Sequence, residues 1–263
     1  MEEQDQQQID VLANQIAEEE YDLIGLQEVN QLLASPLAKV DTYFQPTSNQ
    51  QAIHQDNFLF CLTERLKKLG CHYYWSWTYN HIGYDIYHEG IGLLSKTPIK
   101  TASYLISKSS DPTDYHTRRF MLGETFIEGQ KIVAISSHFS WWHSVDEAFG
   151  YEWRMIEEVL SEKQGTLIVM GDFNNDAKKA AEGYDLVCKS SLALQDAFIA
   201  ARNKTGEYTV EKSIDGWDEN AERLRIDYIF TSKNFEIESY RVVFDGKKES
   251  VISDHYGVMV VMS

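Results

Sequence analysis

Leu167-Ile168-Val169-Met170-Gly171-Asp172-Phe173-Asn174 is the stretch on which the reading of this chain turns. Four consecutive apolar residues mark a buried strand, followed at once by a glycine, a carboxylate and an amide. A carboxylate at a strand end can take a proton from water or touch a metal, and an amide two residues on can orient the same water or a phosphate oxygen. Taken alone, the segment also reads as a turn, because Gly, Asp and Asn favour one.

The same juxtaposition recurs outward along the chain. Leu23 to Leu26 runs into Gln27-Glu28, Ile132 to Ser136 into Ser137-His138, Asp227 sits within Ile226 to Phe230, and Asp254-His255 precedes Gly257 to Val261. Ile91 to Leu94 and Met121 to Ile127 are further strands, and Glu128-Gly129 reads as a hairpin turn between two of them. Helical spacing appears in Ile9, Leu12 and Ile16, in Leu59, Leu62, Leu66 and Leu69 ahead of Gly70, and in Phe149, Trp153, Ile156 and Leu160 within Glu147 to Glu162. This order predicts a layered α/β sandwich whose strand ends present polar residues to a cleft.

No internal repeat or linker interrupts the 263 residues, which read as one domain with 43% hydrophobic and 13% aromatic content. The net charge of -17 repels polyanions, so long nucleic acid is an unfavoured partner. Cys61, Cys71 and Cys188 fit neither a disulfide framework nor a zinc ribbon and are expected to be reduced, buried thiols. With an acidic, Gln-rich opening and no run of 18 apolar residues, the expectation is a cytoplasmic protein with no membrane partner.

Glu28 at a strand end needs a partner, water or a hard cation, and Mg2+ binds through one or two carboxylates. Its bland alternative is a solvated strand end. An unpaired Asp227 would be costly in an apolar strand, and His255, next to Asp254, is the candidate partner. By the same logic Glu89, just before the strand Ile91 to Leu94, is a candidate to orient His138. A backbone carbonyl would serve either imidazole equally well.

As a set and in this order, Leu26 to Val29, Gly92 to Ile99, Ser137-His138, Gly171 to Asn174, Arg225 to Tyr228 and Ser253 to His255 resemble the endonuclease/exonuclease/phosphatase superfamily. The resemblance implies a single catalytic domain, residues 1–263, with a four-layered α/β sandwich of two packed, mainly antiparallel sheets flanked by helices. It also implies a first strand ahead of the first helix, which is missing from a chain that begins at what reads as that helix. It further implies Mg2+, with Mn2+ as the substitute, on Glu28 and assisted by Asp254. Asp172 and Asn174 would handle the attacking water, Asp227 would pair with His255, and Glu89 with His138. Gln27 to Gln31, Tyr87 to Gly90 and Ser140-Trp141-Trp142 are similar to the bacterial maltose 6'-phosphate phosphatase branch.

Arg118-Arg119 is the main basic pair without an adjacent acid; one of the two is a candidate for bidentate phosphate binding, and a surface pair is an equal reading. Trp141, Trp142 and Trp217 (in Gly216-Trp217-Asp218) lie in polar segments and suit stacking on a sugar face, whereas Tyr73 and Trp75 read as core. The expected substrate is therefore a small phosphorylated sugar. An Mg-dependent nuclease is the main alternative, with a sphingomyelinase-like phosphodiesterase and a catalytically dead carbohydrate-binding module behind it.

Overall fold

The computed structural model describes residues 2–144, 148–212, 214, 217 and 222–263; Glu147, Gly216 and Asp218 lie outside them. Helix α1 (Glu2–Glu19) leads into β1 (Leu23–Leu26) and β2 (Gln31–Leu32), then α2 (Phe58–Lys68) precedes β3 (Tyr74–Gly83) and β4 (Tyr87–Ser95). Three strands follow, β5 (Lys100–Leu105), β6 (Arg119–Ile127) and β7 (Gln130–His138), and then α3 (Ala148–Ser161), β8 (Thr166–Asp172) and α4 (Gly183–Cys188). The chain closes with β9 (Gln195–Asp196), α5 (Ala197–Ala200), β10 (Asn203–Thr205), β11 (Asp227–Thr231), β12 (Ile237–Val243) and β13 (Gly257–Met262).

A sheet ordered β5-β6-β7-β8-β11-β9 forms one inner layer. Its strands are covered on both faces, which is why they read as continuous apolar runs rather than alternating ones. Ile132 and Ala134 of β7 and Ile168 and Met170 of β8 point into the sandwich, against Ile91 and Leu93 of β4. Val133, Ile135, Leu167 and Val169 point outward, against Phe149, Trp153 and Ile156 of α3. In the other inner layer, β4 carries β1 and β2 along one edge and β3 along the other, with α1 and α2 packed over its outer face. Tyr73, Trp75 and Trp77 are buried there, as core.

The four-layered α/β architecture is as expected, but the second layer is divided. β12 pairs with β10 and β13 in a separate sheet, and among the described residues neither β1 nor β13 is paired along its other edge. An open cavity lies between these two edges and continues into the polar end of the sandwich, about 1850 Å³ in all.

Local signals explain the turns. Asn57 caps α2 by accepting from the Phe60 amide, and Gly70 ends that helix at φ +82. Glu128 and Gly129 take φ of 50 and 81, the double positive-φ conformation of a tight hairpin. Among the described residues no helix is long and apolar enough to cross a membrane. The thiols depart from expectation: Cys61 and Cys71 are half-buried, and Cys188 is exposed at the end of α4, whose inward side is taken by Val187.

One buried ion pair secures the strand that carries Asp227. Arg225 Nη1 donates to Asp196 Oδ2 at 2.7 Å, with side chains 4% and 3% exposed, and its guanidinium lies 4.8 Å from the Tyr228 ring. Arg225→Ala leaves the buried Asp196 carboxylate its hydrogen bonds from the Tyr184 hydroxyl and the Phe198 amide but no counter-charge, and is expected to lower unfolding free energy by about 3–5 kcal/mol, read as an earlier urea midpoint. A loss below about 1 kcal/mol contradicts this role.

Candidate active site

Three neighbouring strands of the six-stranded sheet end together at the cavity. β7 and β8 run parallel with His138 opposite Asp172, and β11 runs antiparallel to β8 with Asp227 opposite the same residue. The strand period of two puts all three on the inward face, continuing the rows Ile132-Ala134, Ile168-Met170 and Ile229. Gly171 makes the close approach possible. At φ +150 a Cβ there would lie 1.9 Å from the Ser137 carbonyl oxygen, so any side chain would push β8 off β7 just before Asp172.

Asn174 takes φ 49, a conformation Asn tolerates better than most residues, and this folds its amide back over the strand end. Its backbone N–H donates to Asp172 Oδ1 at 2.7 Å, and its Nδ2 donates to the Phe139 carbonyl at 2.9 Å and lies 3.2 Å from His138 Nε2. Trp217 Nε1 donates to Asn174 Oδ1 at 3.2 Å, which brings the predicted tryptophan to the site.

His255 faces Asp227 as expected, with Nδ1 3.0 Å from Oδ2 and Nε2 4.0 Å from Asp172 Oδ2. Burial by itself lowers the imidazole, but the Asp227 carboxylate overrides it, aided by Asp172 and Glu28, and raises His255 to about 10. Burial, and then the Asp227 charge, lift Asp172 to about 8. His138 goes the other way: burial, then Arg118 and His255, hold it well below its usual value, so it is a neutral imidazole.

These shifts fix a pH dependence. Unfolded references are 6.5 for His and 3.8 for Asp. Stability from His255 is therefore complete below about 6.5 and lost as pH rises through about 10, and that from protonated Asp172 is lost between about 3.8 and about 8. The Tm of the protein in EDTA is expected to fall steadily from about pH 6 to about pH 9. A Tm rising over that range contradicts the pairing.

Glu28 approaches from the opposite layer at the end of β1, with φ 52. Enclosure by protein and then the Glu89 charge raise it to about 7, although its side chain stays open to water in the cavity, which weakens the first effect. Asp254 is exposed beside it in charge terms, and its Oδ1 accepts from Ser253 Oγ at 3.0 Å.

The predicted Glu89–His138 pair does not form. Glu89 instead lies opposite His81 across β3 and β4, with Oε1 3.6 Å from His81 Nε2 and 3.9 Å from Arg118 Nη1. His138 is held by Asp172 and Asn174, with Nε2 3.5 Å from Asp172 Oδ2. His81 was hidden from sequence reasoning because Asn80 is an extra residue between Tyr79 and His81, and this bulge moves His81 to the inward face.

Of the two arginines, Arg118 is 3% exposed and its Nε and Nη1 have no hydrogen-bond acceptor, while its charge is felt at Glu28 and His138. Arg119 is half-buried, and its backbone N–H donates to Asn80 Oδ1. Trp142 packs on the outer core, 6.3 Å from the Phe149 ring. The Trp141 indole N–H is buried without an acceptor, and no contact joins that ring to the catalytic cluster among the described residues.

A profile of the endonuclease/exonuclease/phosphatase family matches residues 2–255. The chain belongs to that family. Members of the endonuclease/exonuclease/phosphatase family are hydrolases of phosphoesters and generally depend on a divalent metal. An endonuclease/exonuclease/phosphatase family protein from Leptotrichia buccalis C-1013-b is 31% identical, with a TM-score of 0.85 and coverage of 98% of this chain and 93% of that one. The fold is shared more distantly with the mannosyl-6-phosphatase of Bacteroides thetaiotaomicron VPI-5482, at 19% identity, TM-score 0.63 and coverage of 98% and 91%. The human Nocturnin catalytic domain with bound sulfate is similar at 18% identity, TM-score 0.62 and coverage of 98% and 86%. No curated protein matches the chain by sequence.

The donors present suit a hard divalent cation. Asp172, Asp227 and His255 offer atoms within 4.8 Å of one another, and Glu28 adds a carboxylate from the facing layer, raised to about 7 by enclosure and then by the Glu89 charge. His255 is already committed to Asp227 and cationic, which favours the carboxylates, Glu28 foremost, as the ligands.

Proposed function

We propose that the chain is a Mg2+-dependent phosphomonoesterase acting on a phosphorylated sugar of the maltose 6'-phosphate kind, with Mn2+ as the substitute metal. The observation that carries this reading is the buried Arg118 guanidinium, whose Nε and Nη1 have no hydrogen-bond acceptor beyond the Glu89 carboxylate 3.9 Å away and whose charge is felt at Glu28 and His138. A terminal phosphate supplies the acceptors such a group lacks. A net charge of -17 disfavours a long polyanion.

Bound at Glu28 and Asp254, the metal would draw charge from a phosphate oxygen. Asp172, with a pKa lifted to about 8, accepts the proton of the attacking water, and is a far better base than an ordinary carboxylate. Asn174, braced by Trp217 and the Phe139 carbonyl, orients that water. The His255 cation and Arg118 face the charge that builds on the phosphate oxygens, and His138 donates or accepts as a neutral imidazole. The Trp217 ring is the proposed sugar platform. An odd number of widely spaced cysteines, Cys61, Cys71 and Cys188, fits a reducing compartment, the cytoplasm.

The test is phosphate release from maltose 6'-phosphate, glucose 6-phosphate, inositol phosphates and mononucleotides, with Mg2+ or EDTA, beside plasmid nicking. Release from a sugar phosphate that EDTA abolishes, without nicking, is the expected result. Nicking with no release from any sugar phosphate overturns it in favour of a nuclease.

A further inference from the structure

Glu152 lies on the face of α3 that a helix covering a sheet keeps apolar. Phe149, Trp153, Ile156 and Leu160 share that buried face, and Glu152 itself is 0% exposed. Burial pushes its carboxyl up, and the two hydrogen bonds from Ser140 oppose this ahead of the Arg118 and His116 charges. An apolar side chain of the same volume would carry no such desolvation cost, so stability does not explain a carboxylate here. Both of its oxygens go to one residue: the Ser140 N–H donates to Oε2 at 2.9 Å and Ser140 Oγ donates to Oε1 at 2.7 Å. Ser140 stands two residues beyond His138, and its N–H belongs to the same planar, trans peptide unit as the Phe139 carbonyl. In such a unit the N–H and C=O point opposite ways, so a grip on one fixes the direction of the other. The Phe139 carbonyl is the acceptor for Asn174 Nδ2, at 2.9 Å.

We propose that Glu152 is a positioning residue for the phosphoester reaction: by holding the Ser140 N–H it aims the Phe139 carbonyl at Asn174 and sets which end of the Asn174 amide meets the attacking water. The inference rests on the reading of Asn174 as the amide that orients that water. Asn174 Nδ2 is committed to the Phe139 carbonyl and lies 3.2 Å from His138 Nε2, so both of its hydrogens have partners. Oδ1 takes the Trp217 indole N–H at 3.2 Å and keeps a second lone pair. Water that donates one hydrogen to this oxygen and the other to Asp172 turns a lone pair toward phosphorus. A flipped amide would set Oδ1 against the Phe139 carbonyl oxygen, and that repulsion lasts only while the 139–140 peptide keeps its orientation. Neighbouring bonds hold the same loop to β8: the Phe139 N–H donates to the Asp172 carbonyl at 2.9 Å, and Asn175 Nδ2 to the Ser140 carbonyl at 3.4 Å. Glu152 is the anchor from the helix layer, outside the cleft and without contact to substrate.

Two substitutions test this. Glu152→Met keeps the volume and removes both acceptors, whereas Glu152→Gln keeps an oxygen for the Ser140 N–H and a donor for Ser140 Oγ. The first readout is exchange of the Asn174 side-chain amide hydrogens by NMR, with Asn57 as the remote reference. Asn57 is 0% exposed at the start of α2, and its Nδ2 donates to Gln31 Oε1 at 3.0 Å. Glu152→Met is expected to speed exchange at Asn174 at least about 10-fold and leave Asn57 unchanged, and Glu152→Gln to restore Asn174 to within about threefold. The second readout is kinetics on whichever phosphoester the protein turns over. Glu152→Met is expected to lower kcat about 30-fold with KM within about twofold, and Glu152→Gln to recover most of the loss. Unaltered exchange at Asn174 overturns the proposal, and so does faster exchange with kcat unchanged. Loss of protection at Asn57 as well overturns it in favour of a general structural role. The exchange readout needs no substrate, so failure of the sugar-phosphate reading leaves this result distinct.

Discussion

Asp172→Asn is expected to lower kcat by at least about 1000-fold while leaving Tm unchanged or higher. The loss follows from chemistry: an amide cannot take a proton from water, and Asp172 is the carboxylate at the meeting of β7, β8 and β11, within 3.5 Å of His138 and 4.0 Å of His255. The stability expectation follows from burial. Asp172 is 5% exposed and its pKa is lifted to about 8, so the folded state resists its charge. Asn keeps the side-chain oxygen that accepts the Asn174 backbone N–H at 2.7 Å and removes that charge. Steady-state kinetics with thermal melts in EDTA reads both halves. Turnover like that of the unmodified enzyme removes Asp172 from the mechanism, and a collapse in Tm means that the residue is structural instead.

Asp227→Asn is expected to cost about 100-fold in kcat/KM near pH 8 and much less near pH 6. With Asp227 ionised, His255 stays protonated up to about 10. Without it, burial is opposed only by the Asp172 and Glu28 charges and pulls the imidazole down from about 10, so the cation facing the phosphate is lost at a lower pH. The basic limb of the pH-rate profile therefore moves to lower pH in the variant. A uniform loss at all pH values assigns Asp227 an orienting role alone, independent of charge.

Much of the catalytic set is legible in the linear sequence, because a polar residue closing a run of apolar ones is costly unless it has work to do or a partner to meet. Glu28, His138, Asp172, Asp227 and His255 all stand out this way, and Gly171 marks where two strands must nearly touch. The helices α1, α2 and α3 are equally readable from spacing, since each covers a sheet with one face. Pairings across the molecule are another matter. Glu89 was expected beside His138 because both flank apolar runs, yet spacing along the chain carries no information about which strand ends meet. The bulge at Asn80 reverses the face on which His81 lies, and one inserted residue in a strand leaves no mark in composition or hydrophobic pattern.

By itself, then, the sequence determined the layered α/β class, the strands that end at the cleft and most of the residues that fill it. These are consequences of local periodicity and of the cost of burying charge. The tertiary structure alone decided that Glu89 serves His81 and Arg118, that Trp217 braces Asn174, and that β1 and β13 lie in different sheets. Each of these depends on strand register or on the packing of elements far apart in the chain, where the choice among partners is made by geometry and not by residue type.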